Sequence, residues 1–393
     1  MNLQNSIVLT SNNKIYLDYN ATTPCDPRIV SEMLPYFSEK FGNSSSSNHT
    51  FGWDAEEAVD LARMQISDLI NSKNNQLYFT SGATEAVNLG LIGTCEANRM
   101  NGNHVITCKT EHRAVLSSCQ ELEKRGFRVT YLDVDKNGTI DLDKLEDAIC
   151  SDTILVCIMY ANNETGLIHP IHSISQIAHA NGVKVMSDIT QAVGKIPCDV
   201  EKSGIDIAAF SAHKFYGPKG IGGLYLRNRS VDTISPVLFG GGQEKGLRPG
   251  TLNIPAIVGF GAASKLCKET MQQESLQLME LRDLIEHELM QLEDTKINCA
   301  VADRLPHVSN ITFSGIDGSK LLRRMGNLAL SQGSACNSGI LKPSHVLLSL
   351  GLSKEEALSS IRIGLGRFTT KEEVETTINT VTSAIKSLRE VLI

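Results

Sequence analysis

Two neighbouring segments, VKVMSDITQAVGK (183–195) and IDIAAFSAHKFYGPKG (205–220), decide the fold of this chain. Each begins with a short, mainly apolar run, and several such runs of the chain show no polar alternation, which is typical of strands covered on both faces. Each run then gives way to polar and small residues. The same pattern recurs from about residue 75 to 230, where helix-like stretches separate further apolar runs: QLYFTSG, HVITC, RVTYLDV, TILVCIMYA and GGLYLR. This alternation predicts an α/β fold with a mainly parallel sheet.

The sequence beyond the glycine-rich segment FGGGQEKGLRPGTLN (239–253) predicts a second domain. Long helical stretches follow this segment. The last of them places apolar residues three and four positions apart, on one helix face: Val374, Ile378, Val381, Ile385 and Leu388. We therefore expect a large domain over 16–255 and a smaller domain formed by 1–15 and 256–393.

Composition limits the class of protein. The chain has 393 residues, of which 41% are hydrophobic and 21% charged, and its net charge is -7. A chain of this length can bury a large core, and its acidic balance argues against a surface that neutralises nucleic-acid phosphates. The N-terminus lacks the basic start and apolar core of a signal peptide, and no run of about 18 apolar residues occurs. We expect a cytoplasmic enzyme.

Lys214 and Asp188 are the first candidate site residues. Lys214 follows the second apolar run, and a lysine held at a strand end is well placed to form a Schiff base with an aldehyde cofactor. Asp188 ends the first run, where a carboxylate is costly unless it is paired. A cofactor with a pyridinium nitrogen needs such an anion. The alternatives are a solvated lysine and an aspartate that caps the next helix.

A second candidate feature is the segment FTSGATEAVNLG (79–90), in which a predicted strand turns into a helix. Amide groups at a helix N-terminus, next to small residues that allow close approach, form a seat for phosphate. A plain capping box at Thr84 is the alternative. A P-loop is excluded, because the chain contains no G-x-x-x-x-G-K-[ST] pattern.

The ten cysteines contain no C-x-x-C pair and no histidine spacing suited to zinc. Most of them are expected to be reduced, buried apolar residues. Cys336 differs, because it lies in SQGSACNSGIL (331–341), a run of small and polar residues that predicts an exposed loop. A nucleophilic thiol needs such exposure. An incidental loop cysteine is the alternative.

The segment DVDKNGTIDLDK (133–144) follows the spacing of a calcium loop through its first six positions. Its twelfth position is Lys144, where calcium needs a bidentate glutamate. A strand-like run precedes the segment and a short helix follows it, instead of two helices. We interpret it as an acidic turn.

Taken together, these segments resemble the cysteine desulfurases. The matching motifs occur in one order along nearly the whole chain: YLDYNATTPCDPR (16–28), FTSGATEAVNL, KTEHRAVL, NNETG, DITQAVGK, SAHKFYGPKGIGGLY, GGGQEKGLRPGTLN, SQGSACNSG and SSIRIGLGRFTT (359–370). The resemblance implies fold type I of the pyridoxal-phosphate (PLP) enzymes. That fold has a large domain with a mainly parallel, seven-stranded sheet flanked by helices, and a smaller α+β domain that holds the loop of the catalytic cysteine.

The resemblance also implies roles around the cofactor ring. Lys214 would form the Schiff base with PLP, and Asp188 would pair with the pyridine nitrogen. His112, in KTEHRAVL, would stack on the ring and assist proton transfer. Gln191 would bond the phenolic oxygen.

Further implied roles concern the phosphate and the substrate. Four residues would hold the phosphate within one subunit: Ala83, Thr84, Ser211 and His213. Thr251 would reach the same phosphate from the neighbouring subunit, which implies a homodimer. Asn163 and Arg362 would bind the carboxylate of L-cysteine, for which the bidentate fork of arginine is suited. No metal is expected.

The implied reaction transfers sulfur from L-cysteine to Cys336, leaving a persulfide on this residue and releasing L-alanine. A partner protein would then accept the sulfur for iron–sulfur assembly, tRNA thiolation or DNA phosphorothioation. Gln332, Asn337 and Lys342 depart from the residues common in the family, as do Ser44 and Ser187, and the chain ends at Ile393 without the extended tail of housekeeping members. These departures keep a dedicated pathway open. The alternatives are a selenocysteine lyase or aminotransferase of the same fold, and a binding module without catalysis.

Overall fold

The computed structural model describes residues 14–227, 233–332 and 342–390, so Cys336 lies outside the described residues. The strands, in chain order, are β1 (Ile15–Tyr16), β2 (Leu77–Thr80), β3 (His104–Cys108), β4 (Arg128–Leu132), β5 (Thr153–Cys157), β6 (Lys184–Asp188), β7 (Ile207–Ser211), β8 (Gly222–Leu226), β9 (Thr295–Ile297), β10 (Val308–Phe313), β11 (Leu328–Ala329) and β12 (Ser360–Gly364). The helices are α1 (Pro27–Met33), α2 (Pro35–Ser38), α3 (Thr50–Ile70), α4 (Ala83–Ala97), α5 (Arg113–Lys124), α6 (Leu142–Ala148), α7 (Ile171–Ala180), α8 (Ile254–Leu289), α9 (Gly318–Arg324), α10 (His345–Ser349), α11 (Lys354–Leu358) and α12 (Lys371–Glu390).

Seven strands form the central sheet, in the order β2-β8-β7-β6-β5-β3-β4. The β7, β6, β5, β3 and β4 pairings are parallel, whereas β8 runs antiparallel to both of its neighbours. The predicted α/β fold with a mainly parallel, seven-stranded sheet is confirmed. The carboxyl ends of β2, β3, β5, β6 and β7 consequently meet at one edge, which is where open α/β sheets bind ligands.

Both faces of the sheet are covered, which explains why its strands show no polar alternation. Alternate side chains belong to two separate cores. One core packs against α3, α7 and α8 and includes Ile106, Val156, Val185, Ala208 and Phe210. The other packs against α4 and α5 and includes Val105, Leu155, Met186, Ile207 and Ala209.

The C-terminal part of the described chain has a three-stranded antiparallel sheet in the order β12-β10-β9. Helix α12 covers this part with the predicted apolar face, and Val374, Val381, Ile385 and Leu388 are buried there. Ile15 in β1 and Leu17, which directly follows this strand, join the same core. The domain boundaries expected at residues 16 and 255 stay predictions, and α8 begins beside the second of them.

Two smaller expectations concern cysteines and the acidic turn. All nine cysteines within the described ranges have free thiols, and seven are buried. The segment 133–144 forms a turn in which Asp135 Oδ1 accepts the amides of Asn137 and Thr139, at 2.9 and 2.8 Å. The interpretation as a turn is confirmed. None of the described helices is both long and apolar enough to cross a membrane.

Candidate functional site

A cavity of about 510 Å³ opens at the edge where the parallel strands end. Nine of the residues selected from the sequence line it, although they come from five separate segments: Ala83, Thr84, His112, Asn163, Asp188, Gln191, Ser211, His213 and Lys214. The strand order explains this meeting, because the segments follow β2, β3, β5, β6 and β7. The cavity is therefore the candidate active site.

Lys214 ends a short 3₁₀ turn that directly follows β7. Its Nζ donates to the main-chain oxygens of Asn20 and Ala21, at 2.6 and 2.8 Å. Burial, with a smaller contribution from Arg362, lowers the pKa of Lys214 to about 8, and Asp188 acts in the opposite direction. Neither of the two carbonyls is an anion that could fix the charged form, so a neutral, nucleophilic amine is accessible near pH 8.

Asp188 is the last residue of β6 and is 7% exposed. One carboxylate oxygen accepts the amide of Thr190, at 3.0 Å, as in a turn-capping aspartate. This bond uses only one of the two oxygens, and the residue also lines the cavity. The capping alternative and a role in the site are therefore compatible. A buried carboxylate at this place offers an anion to a ring nitrogen.

The turn between β2 and α4 forms one wall of the cavity. Gly82 precedes the helix and gives it no side-chain cap, so the capping box proposed for Thr84 is not present. The first amides of α4 have no helical carbonyl to bind, and they form the positive end of the helix dipole. Gly222 approaches this turn so closely that a Cβ there would lie 2.6 Å from Gly82 Cα. Only small residues fit at this contact.

Ser211 and His213 lie across from this turn, at the end of β7. Ser211 is 2% exposed and its hydroxyl donates to the carbonyl of Ile221. His213 Nδ1 contacts Thr22 Oγ1 at 3.0 Å. Burial lowers the pKa of His213 to about 4, with Lys214 contributing in the same direction. The imidazole is therefore neutral near pH 7 and can donate or accept a hydrogen bond without adding charge.

His112 and Gln191 occupy two further positions in the cavity wall. His112 caps α5, and its Nδ1 accepts the amide of Ala114 at 3.1 Å. A neutral His112 in this arrangement has its proton on Nε2, and desolvation lowers its pKa. Gln191 Nε2 donates to the main-chain oxygen of Asn20, at 3.1 Å. This bond fixes the orientation of the amide.

Arg362 is not one of the residues that line the cavity, but its guanidinium hydrogen-bonds Asn163, which is. The guanidinium is 4% exposed, and it donates to the Asn163 carbonyl at 2.9 Å and to Asp18 at 2.6 Å. Its Nε is buried and has no hydrogen-bond partner among the described residues. A buried donor without an acceptor is uncommon, so the guanidinium has capacity left for an anionic ligand.

Two of the predicted site residues, Thr251 and Cys336, are not found at the cavity in the part of the chain that the structure describes. Thr251 is exposed and does not line the cavity of its own chain. Cys336 lies outside the described residues. The roles expected for both therefore stay predictions.

Some residues of the site had no assigned role in the sequence reasoning. They include the main-chain oxygens of Asn20 and Ala21, which hold Lys214, and the Asp18 carboxylate, which holds Arg362. All three lie in YLDYNATTP, a motif that the sequence did offer. A main-chain oxygen can bind whatever the residue type, so the sequence does not mark it. Two charged residues at opposite ends of the chain have no characteristic spacing that would identify them as an ion pair.

The donor set of the cavity fits PLP. An amine with a lowered pKa suits the aldehyde, a carboxylate suits the pyridine nitrogen, and a helix N-terminus with nearby hydroxyls suits the phosphate. Lys219 also lines the cavity but is exposed. Lys214 is thus the better placed of the two lysines.

Known proteins are similar to this chain in sequence and fold. The profile of the family described as Aminotransferase class-V matches residues 15–377. The cysteine desulfurase IscS of Edwardsiella ictaluri is 48% identical over 378 residues, which cover 96% of this chain and 94% of the relative. A solved NifS-like protein has a TM-score of 0.88 at 34% identity and covers 95% of this chain and 100% of its own. SspA, solved in complex with cysteine, has a TM-score of 0.80 at 35% identity, over 90% and 99%.

Proposed function

This chain belongs to the class-V aminotransferase family and is a PLP-dependent cysteine desulfurase, and we propose that Lys214, Asp188 and Cys336 perform its central steps. The observation that carries this assignment is the meeting of Lys214 and Asp188 in one cavity beside a helix N-terminus. A single pocket thereby offers an amine, an anion and a phosphate seat.

The residues around the ring hold and polarise the cofactor. Bound PLP supplies an aldehyde that condenses with amines and a pyridinium ring that withdraws electrons from the substrate α-carbon. Asp188 keeps the ring nitrogen protonated, because a buried anion favours the adjacent positive charge. His112 stacks on the ring, and Gln191 donates to the phenolic oxygen from an amide whose orientation is fixed.

The phosphate is held within the chain by the first turn of α4, with Ala83 and Thr84, and by Ser211 and His213 from β7. These residues offer hydroxyls, a neutral imidazole and the helix amides. The positive end of the α4 dipole adds an attraction that a single hydrogen bond does not provide.

Lys214 moves a proton as well as holding the cofactor. With a pKa lowered to about 8, its Nζ would accept the α-proton of cysteine while PLP is bound to the substrate. The carbonyls of Asn20 and Ala21 hold the amine in place during this step.

Arg362 and Asn163 bind the substrate carboxylate. The guanidinium is oriented in advance by Asp18 and by the carbonyl of Asn163, so little side-chain entropy is lost on binding. Its remaining N–H groups can form charge-assisted hydrogen bonds with a carboxylate. With its carboxylate held by Arg362, the bound cysteine is restricted in orientation, and so is its sulfur atom.

Cys336 takes the sulfur. Its thiolate attacks the sulfur of the bound cysteine, an S–S bond forms, and the C–S bond breaks. The electron pair stays on the substrate carbon, which takes up a proton to give L-alanine. The sum of the step is a thiol plus L-cysteine giving a persulfide plus L-alanine.

A homodimer completes the site, with Thr251 of each chain reaching the phosphate in the other. Two stretches, 30–64 and 238–239, contain ten of the sixteen large apolar side chains that are exposed in the described chain. Phe239 is 87% exposed, Phe41 65% and Trp53 52%. Apolar clusters of this kind mark contacts with another protein. The exposed segment of Thr251 lies only a dozen residues from Phe239, which favours a second copy as the occupant.

The sulfur acceptor is a second protein, in a pathway of iron–sulfur assembly, tRNA thiolation or DNA phosphorothioation. We place the enzyme in the cytoplasm, since its described cysteines are free thiols. Copurification of the intact enzyme with its partners identifies the pathway. Recovery of a scaffold for iron–sulfur clusters would argue against a dedicated DNA-modification role.

Borohydride reduction of the PLP-bound enzyme, followed by peptide mapping, tests the cofactor site. The cofactor is expected on Lys214 alone, and Lys219, which lines the same cavity, is the internal control. Lys214→Ala should abolish the adduct and the formation of alanine. A stable adduct on Lys219 in the native enzyme would contradict the assignment.

A further inference from the structure

Tyr216 lies two residues after Lys214 in an unusual backbone conformation. Its φ angle is 70°, although it is neither glycine nor asparagine, and its side chain is completely buried. Aromatic residues rarely adopt this conformation, and it persists where the surroundings over-determine it. The amide of Tyr216 donates to Thr23 Oγ1 at 2.8 Å, and its carbonyl accepts the amide of Asp26 at 2.9 Å. The backbone is therefore fixed on both sides.

Two cations lie over the ring of Tyr216. Lys195 Nζ is 4.3 Å from the ring centroid and Arg367 Cζ is 4.1 Å from it. The Tyr216 hydroxyl also accepts the main-chain amide of Arg367, at 2.5 Å. A cation this close to an aromatic face is attracted by the ring quadrupole, and more strongly where water is excluded.

Lys195 makes no side-chain hydrogen bond within the described chain that explains its position, although Glu274 attracts its charge. It is 6% exposed, and its Nζ has no hydrogen-bond partner among the described residues. Burial lowers the pKa of Lys195 to about 8. Arg367 differs, because it also donates to Asp26 at 2.8 Å and to Glu274 at 2.7 Å. The ring is thus the main favourable contact of the lysine and one of several for the arginine.

Tyr216, Lys195 and Arg367 belong to the three segments that also contain the residues proposed to bind the cofactor ring and the substrate. Lys195 ends the segment that begins at Asp188 and includes Gln191, and Arg367 follows Arg362 by five positions. The first segment approaches the Tyr216 turn closely, since a Cβ at Gly194 would lie 2.7 Å from Phe215 Cβ. A shift of the Tyr216 ring would therefore reach all three segments.

We propose that Tyr216 is a positioning residue that, through Lys195 and Arg367, sets the mutual placement of Lys214, Asp188 and Arg362. This inference rests on the roles proposed for those three residues. A purely structural core aromatic is the competing account. It does not explain why a lysine without hydrogen bonds is buried against the ring, since an apolar side chain would fill that space at lower cost.

Substitutions at Tyr216 and Tyr225 in the PLP-bound enzyme separate the two accounts. Tyr225 is the matched control, because it is also fully buried and its hydroxyl bonds Glu201, which does not line the cavity. Tyr216→Leu should lower kcat/KM for cysteine roughly 100-fold, as expected when reacting groups are displaced by about an ångström. Tyr216→Phe, which loses only the hydroxyl, should lower it roughly 5-fold. Tyr225→Leu and Tyr225→Phe should change stability but leave kcat/KM within about 2-fold.

Lys195→Met gives a readout that a structural role would not produce. Replacing a buried charge by an apolar side chain of similar length should leave the melting temperature unchanged or raise it. The same variant should lower kcat/KM roughly 10-fold, because the segment of Asp188 loses its cation–π attraction to the ring. Stability and activity are thus expected to separate.

Two results would overturn the inference. One is a Tyr216→Leu enzyme that melts at a lower temperature yet keeps its kcat/KM and the visible spectrum of its cofactor. The other is a Lys195→Met enzyme with unchanged kcat/KM. If borohydride does not attach PLP to Lys214 in the native enzyme, the proposed function itself fails, and that result is distinct from both.

Discussion

Arg362 donates from Nη2 to Asp18 Oδ1 at 2.6 Å, although 344 positions separate the two residues in the chain. The ion pair joins β12 to the segment that follows β1, and its side chains are 4% and 23% exposed. The guanidinium is consequently held in one orientation at the edge of the cavity. An arginine that is fixed in this way can bind a carboxylate with little further loss of entropy.

Arg362→Lys should raise KM for L-cysteine about 10- to 100-fold with a smaller change in kcat, because lysine cannot reproduce the planar fork. Steady-state kinetics of alanine formation measure this. Arg304→Lys is the matched control, since Arg304 forms a similarly buried pair with Glu286 at 2.7 and 2.9 Å, and Glu286, unlike the Asn163 that Arg362 bonds, does not line the cavity. An unchanged KM in Arg362→Lys would remove Arg362 from the substrate site.

Asp188→Asn should lower kcat about 100- to 1000-fold while the enzyme still binds PLP, because the ring nitrogen loses its anion. The assay is alanine formation at saturating cysteine, alongside the cofactor spectrum. Asp206→Asn serves as the control, since Asp206 accepts the amide of Val185 near the start of β6, away from the carboxyl edge. Equal losses in both variants would indicate a structural effect.

The rate at which the enzyme freed of cofactor captures PLP should rise with pH and level off above about 8. The neutral amine of Lys214 is the nucleophile, and burial lowers its pKa to about 8. Removing a group that lowers this pKa must raise the midpoint, so Arg362→Gln should shift it upward. Asp188→Asn removes a group that raises the pKa, so it should shift the midpoint downward. A midpoint near the ordinary lysine value of 10.5 would contradict the account.

Phe41→Glu or Phe51→Glu should convert the proposed dimer to a monomer and weaken PLP binding, because the proposed contact of Thr251 with the phosphate in the neighbouring subunit is then lost. Sedimentation and PLP titration measure the two effects. Met100→Glu is the control, since Met100 is 96% exposed but lies outside the proposed surface. Trp53, the one tryptophan of the chain, offers a second probe, and its emission should shift to longer wavelength on dissociation. A variant that remains dimeric would place the interface elsewhere.

Local patterns predicted much of this fold. The apolar runs that end at Asp188 and before Lys214 indicated two strands of a mainly parallel sheet, and the structure pairs these strands, β6 and β7, in parallel. Parallel strands bring their carboxyl ends together, so residues that follow different strands could be expected in one site. The spacing of apolar residues and the parallel direction of the strands are sufficient for this prediction.

Contacts between distant segments were not predictable in the same way. Lys214 is held by the main-chain oxygens of Asn20 and Ala21, and a carbonyl has no sequence signature. The two cations over the Tyr216 ring are the side chains of Lys195 and Arg367. Because most lysines are exposed, the sequence alone would predict an exposed Lys195. Only the packed structure shows such partners.

The most direct test of the account is the location of sulfur after one turnover. The PLP-bound enzyme is mixed with L-cysteine without a reductant, alkylated, digested and analysed by mass spectrometry. The account predicts one extra sulfur atom on Cys336, an equal amount of L-alanine, and no persulfide on the exposed thiol of Cys150. Cys336→Ala should lose the persulfide yet retain bound PLP. Persulfide on another cysteine, or full sulfide release by Cys336→Ala, would contradict the central claim.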